Sequence, residues 1–82
     1  MADVRQIVVI MDVLRFSKDD VVQEIREEGY HHHFFFANFN DIGTTEKHIK
    51  DADEVWVWGN CQDNAYYKLA KEVGADIWQM KL

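Results

Sequence analysis

Asp12, Arg15 and Phe16 stand close together, directly after the apolar run Ile7-Val8-Val9-Ile10-Met11 and just before Ser17. A carboxylate, a guanidinium and an aromatic ring at that spacing suit recognition of a nucleotide. Arginine and backbone N–H groups can hold a phosphate or ribose while a phenylalanine stacks on the base. The competing role for such residues is a solvated turn. Two further loops are built alike, Asn38-Phe39-Asn40-Asp41 and Gly59-Asn60-Cys61-Gln62. Gly59 permits close approach of a ligand to the backbone, and a helix starting after it favours an anion that Asp63 in its first turn repels. Cys61 at that helix start has the position of a nucleophile with a lowered pKa, although no partner base stands near it in sequence. Its commoner fate is a small buried hydrophobe or a cap. Asp12, Asp41, Glu46 and Asp63 are the acids from which an N-glycosidic cleavage or transfer could draw its acid, base or nucleophile.

His31, His32 and His33 invite a metal reading, because His31 and His33 share a face of an extended chain and could present two imidazoles to zinc. A third ligand would have to come from His48 or an acid, and zinc sites need three or four, so the histidines read as the start of a strand. There is no G-x-G-x-x-G and no G-x-x-x-x-G-K, the phosphate-binding patterns of dinucleotide and P-loop sites. The sequence points to no NAD, ATP or other cofactor and to no bound metal.

The elements that must position these loops follow from the punctuation of the chain. Ile7 to Met11 is a β-branched run suited to a strand covered on both faces. Ser17 is an N-cap with Asp20 three residues on, the apolar face of the helix is Val21, Val22 and Ile25, and Gly29 ends it. His33 to Ala37 forms a second strand, bounded by Asn38, Asn40, Asp41 and Gly43. A short helix over Thr45 to Lys50, capped by Thr44, precedes a third strand from Glu54 to Trp58. Gln62 to Val73 carries Ala65, Tyr66, Leu69, Ala70 and Val73 at helical spacing, with Asn60 or Cys61 as cap and Gly74 at the exit. Asp76 to Met80 is a fourth strand. The alternation βαβαβαβ predicts an α/β fold, a small three-layer Rossmann-like or flavodoxin-like domain with a four-stranded parallel sheet of order 2-1-3-4 and three helices. Ligands gather at the carboxyl ends of such strands, where the order reverses. That rule selects Asp12, Arg15, Phe16, Asn38, Asn40, Asp41, Gly59, Asn60 and Cys61 as the binding set. Phe34, Phe36, Trp56 and Trp58 alternate along strands and read as core.

Eighty-two residues carrying one cysteine suffice for one domain, residues 1–82, with no internal disulfide. Hydrophobic residues make up 48% of the chain, with five phenylalanines, three tyrosines and three tryptophans, enough for one core. A net charge of −6, with 15 acids against 9 bases and no basic run, argues against a nucleic-acid duplex as partner. No apolar stretch is long enough to span a bilayer, and Met1-Ala2-Asp3 offers neither a basic leader region nor a cleavage site, so a cytoplasmic protein is expected.

Residues 51–77 add a resemblance. Ala52-Asp53 leads the strand Glu54-Val55-Trp56-Val57-Trp58 into Gly59, and the next helix ends Ala70-Lys71-Glu72-Val73-Gly74 before Ala75-Asp76-Ile77. This pattern resembles the carboxyl half of the nucleoside 2-deoxyribosyltransferase-like superfamily, which implies a flavodoxin-like sheet and a nucleoside or nucleotide ligand. Met11-Asp12-Val13 stands where those enzymes carry a Gly-Pro-type loop. On the helix that should bear their nucleophilic glutamate, this chain offers only Asp63 and Glu72. The expectation is therefore non-catalytic binding of a nucleotide-derived small molecule, such as sequestration of a signalling nucleotide by a phage-type anti-defence protein, in a homo-oligomer that completes the pocket. The alternatives are a nucleoside N-glycosidase or deoxyribosyltransferase, and an acidic protein-interaction module built on Glu24, Glu27, Glu28, Asp51 and Asp53.

Overall fold

A computed structural model describes residues 4–82; Met1, Ala2 and Asp3, read above as lacking a leader, lie outside the described residues. Seven elements alternate: β1 (Gln6–Met11), α1 (Lys18–Glu27), β2 (His33–Phe36), α2 (Ile42–Asp51), β3 (Glu54–Trp58), α3 (Ala65–Glu72) and β4 (Ile77–Lys81). The strands form one parallel sheet in the order β2-β1-β3-β4, as the sequence predicts.

Side-chain alternation along the two central strands divides the core between the two faces of the sheet. Ile7 and Val9 of β1 with Trp56 and Trp58 of β3 pack on Val21 and Ile25 of α1. Val8, Ile10, Val55 and Val57 face the other way, onto Ile49 of α2 and onto Tyr66 and Ala70 of α3. One face is thus covered by a single helix and the other by two. Among the described residues no helix is long and apolar enough to cross a membrane.

α1 begins as its sequence reads: the Ser17 hydroxyl accepts from the Asp20 N–H, and Gly29 follows the helix with φ +75°. The other two helices correct the expected boundaries. α2 starts earlier, at Ile42, because Asp41 and not Thr44 is its cap, with the Asp41 carboxylate accepting from the Thr44 N–H at 3.2 Å. Gly43, read as a turn residue, is inside the first turn, where a glycine costs roughly 1 kcal/mol against alanine and the aspartate cap offsets it. α3 starts later, at Ala65, with Asn64 as cap, its side-chain oxygen accepting from the Tyr66 N–H at 2.8 Å. Asn60 and Cys61 instead build turns ahead of the helix. The Asn60 side chain accepts from the Gln62 N–H and the Cys61 carbonyl from the Asn64 N–H. β2 stops at Phe36, and β4 runs one residue later than expected, with an irregularity opposite Val57 and Trp58 that the Gln79 side-chain amide spans by donating to the Gly59 and Lys81 carbonyls.

Candidate functional site

The crevice between the carboxyl ends of β1 and β3 is where the topology calls for a ligand. The chain itself fills it. The Asp12 N–H donates to the Trp58 carbonyl at 2.8 Å, which continues the β1–β3 ladder one residue beyond Met11. The Asp12 carbonyl accepts from the Arg15 and Phe16 N–H groups, and its carboxylate accepts from the Leu14 N–H at 3.1 Å, so both polar ends of Asp12 close its own turn. The turn brings the Phe16 ring onto Gly59. Gly59 has φ +86°, and a Cβ there would lie 2.7 Å from the Asp12 Cβ and 3.1 Å from Cε2 of Phe16. Asp12, Phe16 and Gly59 therefore meet, but as a packed plug. Arg15 turns outward, donates to the Leu82 carbonyl at 3.1 Å and lies 5.6 Å from the centre of the Phe16 ring.

The loop after β2 is equally self-directed. The Asn38 side-chain oxygen accepts from the N–H groups of Asn40 and Asp41, and the Asn38 carbonyl accepts from the Thr45 hydroxyl at 3.2 Å and the Tyr66 hydroxyl at 2.7 Å. Tyr66 also stacks on Phe39 with ring centres 4.5 Å apart. This ties the loop to α3 and leaves one Asn38 group weakly engaged: its side-chain N–H lies 3.5 Å from the Phe36 carbonyl. Asn40, Asp41 and Asn60 are exposed, and the Asp41 and Asn60 side chains accept from N–H groups of their own turns.

One open space at this rim lies a strand away, between β1 and β2. A cleft of about 330 Å³ is lined by Met11, Val13, Phe16, Lys18, Phe36 and Asn38, with Ser17 and Ala37 completing it. Its walls are apolar and aromatic. The polar groups at it are the Lys18 ammonium, 5.1 Å from the centre of the Phe36 ring, the Asn38 amide, and the amino end of α1, whose first N–H groups have no intrahelical partner. Phe16 and Asn38 are the two members of the sequence-selected set that line the cleft. Lys18 and Phe36 join them unforeseen. Lys18 follows the Ser17 cap, so its position at a helix start is a usable signal, whereas Phe36 alternates with Phe34 along the strand and reads in sequence as core.

Cys61 sits on the opposite face of the sheet, 5% exposed, packed among Val8, Tyr66 and Ala70. Burial, and then the nearby Asp12 carboxylate, push its thiol pKa up, which suits a buried hydrophobe and works against a thiolate nucleophile. The histidines occupy the amino rim of β2. His32 Nδ1 accepts from the Arg5 N–H at 3.1 Å and its ring meets Trp56 edge-on, while His48 stacks on Phe35 with centres 4.0 Å apart. Among the described residues no three His, Cys, Asp or Glu side chains gather as metal ligands would.

No family model matches the chain, and no curated protein or solved structure matches it.

Proposed function

We propose that the cleft between β1, α1 and β2 binds a small nucleotide-derived molecule without transforming it. The observation that carries this reading is the composition of the cleft: two phenylalanine rings and a methionine for a planar base, beside one lysine and a helix amino terminus for an anionic group. The Asn38 side-chain N–H supplies a donor for a base or sugar oxygen. Asp19 and Asp20 in the first turn of α1 oppose a large negative charge, which favours a ligand with few phosphates.

The cleft is at the low end of the roughly 300–1,000 Å³ typical of small-molecule pockets, and its surroundings suggest how it is completed. Val13 and Leu14 on one side and Phe39 and Ile42 on the other are exposed, Leu14 at 93%. A second copy of the chain placed on this apolar rim would cover both the rim and the ligand. Retention without turnover is the behaviour of a protein that sequesters a signalling nucleotide, and the reduced Cys61 suits the cytoplasm as its compartment.

Thermal denaturation with nucleoside mono-, di- and triphosphates and cyclic nucleotides tests the reading. A ligand at 100 times its Kd stabilises by about 2.7 kcal/mol, which raises Tm by roughly 10–20 °C in a domain of this size. The shift should shrink in Lys18→Ala and in Phe36→Leu. No shift with any of these compounds refutes the proposal.

A further inference from the structure

The two faces of the sheet are unequally covered. Four strands about 4.8 Å apart present a face roughly 15–20 Å wide, and a packed helix covers about 10 Å of it. α2 and α3 together suffice on one side. On the other, α1 stands alone, and β4 at the edge is left open: Trp78 is 51% exposed and Met80 is half-buried, with Tyr30 of the α1–β2 connection 39% exposed. Between α1 and β4 runs a groove floored by Trp58, with one part of about 330 Å³ and an adjoining part of about 230 Å³.

The α1 side of this groove is acidic. Asp20, Glu24, Glu27 and Glu28 line it at helical spacing, and Lys81 of β4 is the one base among its lining residues. The Lys81 ammonium lies 2.6 Å from a Glu24 carboxylate oxygen, and the other Glu24 oxygen accepts from the Trp58 indole N–H. The ammonium pKa is raised, chiefly by its hydrogen bond to Glu24 and by the Glu24 charge, which outweigh desolvation, with the charges of Glu28 and Glu27 adding to the rise. A side-chain cation already resides where the carboxylates meet the aromatic floor, so the groove favours positive charge.

Two kinds of occupant could cover Trp78, and charge decides between them. A second copy of this chain, related by a two-fold axis, would set one acidic α1 against another, in a protein already at −6. We propose that this groove docks a basic amphipathic helix of a partner protein, laid beside α1 with its apolar stripe over Trp78, Met80 and Tyr30 and its lysines or arginines toward Glu27, Glu28 and Asp20. Such a helix takes the place on this face that a second helix takes on the other. The inference is independent of the nucleotide cleft, whose residues other than Phe16 do not line the groove.

The test is a titration of the intact protein with a synthetic amphipathic peptide of leucine and lysine, read by tryptophan fluorescence, with the leucine–glutamate peptide of the same pattern alongside. The lysine peptide should bind, more weakly as salt rises, and the glutamate peptide should not. Neutralising two groove acids in Glu27→Gln/Glu28→Gln should weaken binding about fivefold, and Trp78→Ser about tenfold. The same loss of charge elsewhere, in Asp51→Asn/Glu72→Gln, should leave affinity within about twofold of the parent. No binding, equal binding of the two peptides, or an equal loss in the two charge variants overturns the proposal. So does a dimer in sedimentation that Trp78→Ser dissolves, because the second copy would then be the occupant.

Discussion

Replacing Gly59 with alanine tests the plug at the end of β1 and β3 more sharply than any other single change. Gly59 has φ +86°, a backbone conformation that costs a side-chain-bearing residue about 1–2 kcal/mol. The added methyl would also lie 2.7 Å from the Asp12 Cβ and 3.1 Å from the Phe16 ring. Neither neighbour yields freely. Asp12 is bonded through its N–H to the Trp58 carbonyl and through its carboxylate to the Leu14 N–H, and Phe16 is bonded through its N–H to Asp12. Overpacking of that kind costs a further 1–3 kcal/mol, so Gly59→Ala should lose about 2–5 kcal/mol. At roughly 4–8 °C per kcal/mol for a domain this small, Tm falls by at least about 8 °C. Gly29→Ala is the control: φ is +75°, but nothing lies within 4 Å of the added carbon, so only the backbone cost of about 1–2 kcal/mol applies. Urea unfolding of both variants, followed by circular dichroism, separates the two contributions. If Gly59→Ala is no less stable than Gly29→Ala, the contact of Asp12 and Phe16 with Gly59 is not a packed one and the account of the filled crevice fails.

Three other outcomes follow from single interactions. Burial disfavours the Glu24 carboxylate, but hydrogen bonds with Lys81 and Trp58 and the Lys81 charge outweigh that and hold its pKa below the ordinary range. Its stabilising effect is thus complete above the unfolded value of about 4.3 and is lost as pH falls through the lower folded value; urea midpoints should drop more steeply below pH ~4.3 in the parent than in Glu24→Gln, and parallel curves would contradict the assignment. Cys61, buried and with its thiol pKa raised, should react with iodoacetamide at pH 8 far more slowly in the folded protein than in denaturant, and rapid labelling of the folded protein would return it to the list of nucleophiles. Tyr66→Phe removes the hydroxyl that donates to the Asn38 carbonyl at 2.7 Å and should cost about 1 kcal/mol in chemical denaturation; a loss near zero would mean that the Thr45 hydroxyl alone anchors that carbonyl.

Burial on one or both faces writes itself into a strand as a residue pattern, and that is why β1 and β3 were readable as runs of apolar residues and why their order in the sheet followed from short, right-handed crossovers. The cap of α1 was equally local, since the Ser17 hydroxyl accepts from the N–H of Asp20 only three residues on. Caps failed where several polar residues competed. Asn38, Asn40, Asp41 and Thr44 could each have started α2, and Asn60, Cys61 and Asn64 could each have started α3. The choice of Asp41 and Asn64 goes with long-range contacts: Tyr66 bonded to Asn38, and Cys61 buried among side chains of β1 and α3.

The candidate site divides along the same line. The sequence by itself determined which loops stand at the carboxyl rim, because topology assigns each loop to an end of the sheet. It also placed Phe16 and Asn38 there. Only the tertiary structure decided that Asp12, Arg15, Asn60 and Cys61 are occupied with the chain's own backbone or buried, and that the open cleft lies between β1 and β2. Hydrogen-bond capacity and free volume depend on which distant groups arrive first. Gly59, without a Cβ, lets Phe16 close one crevice, and the space that remains is bordered by Lys18 and Phe36.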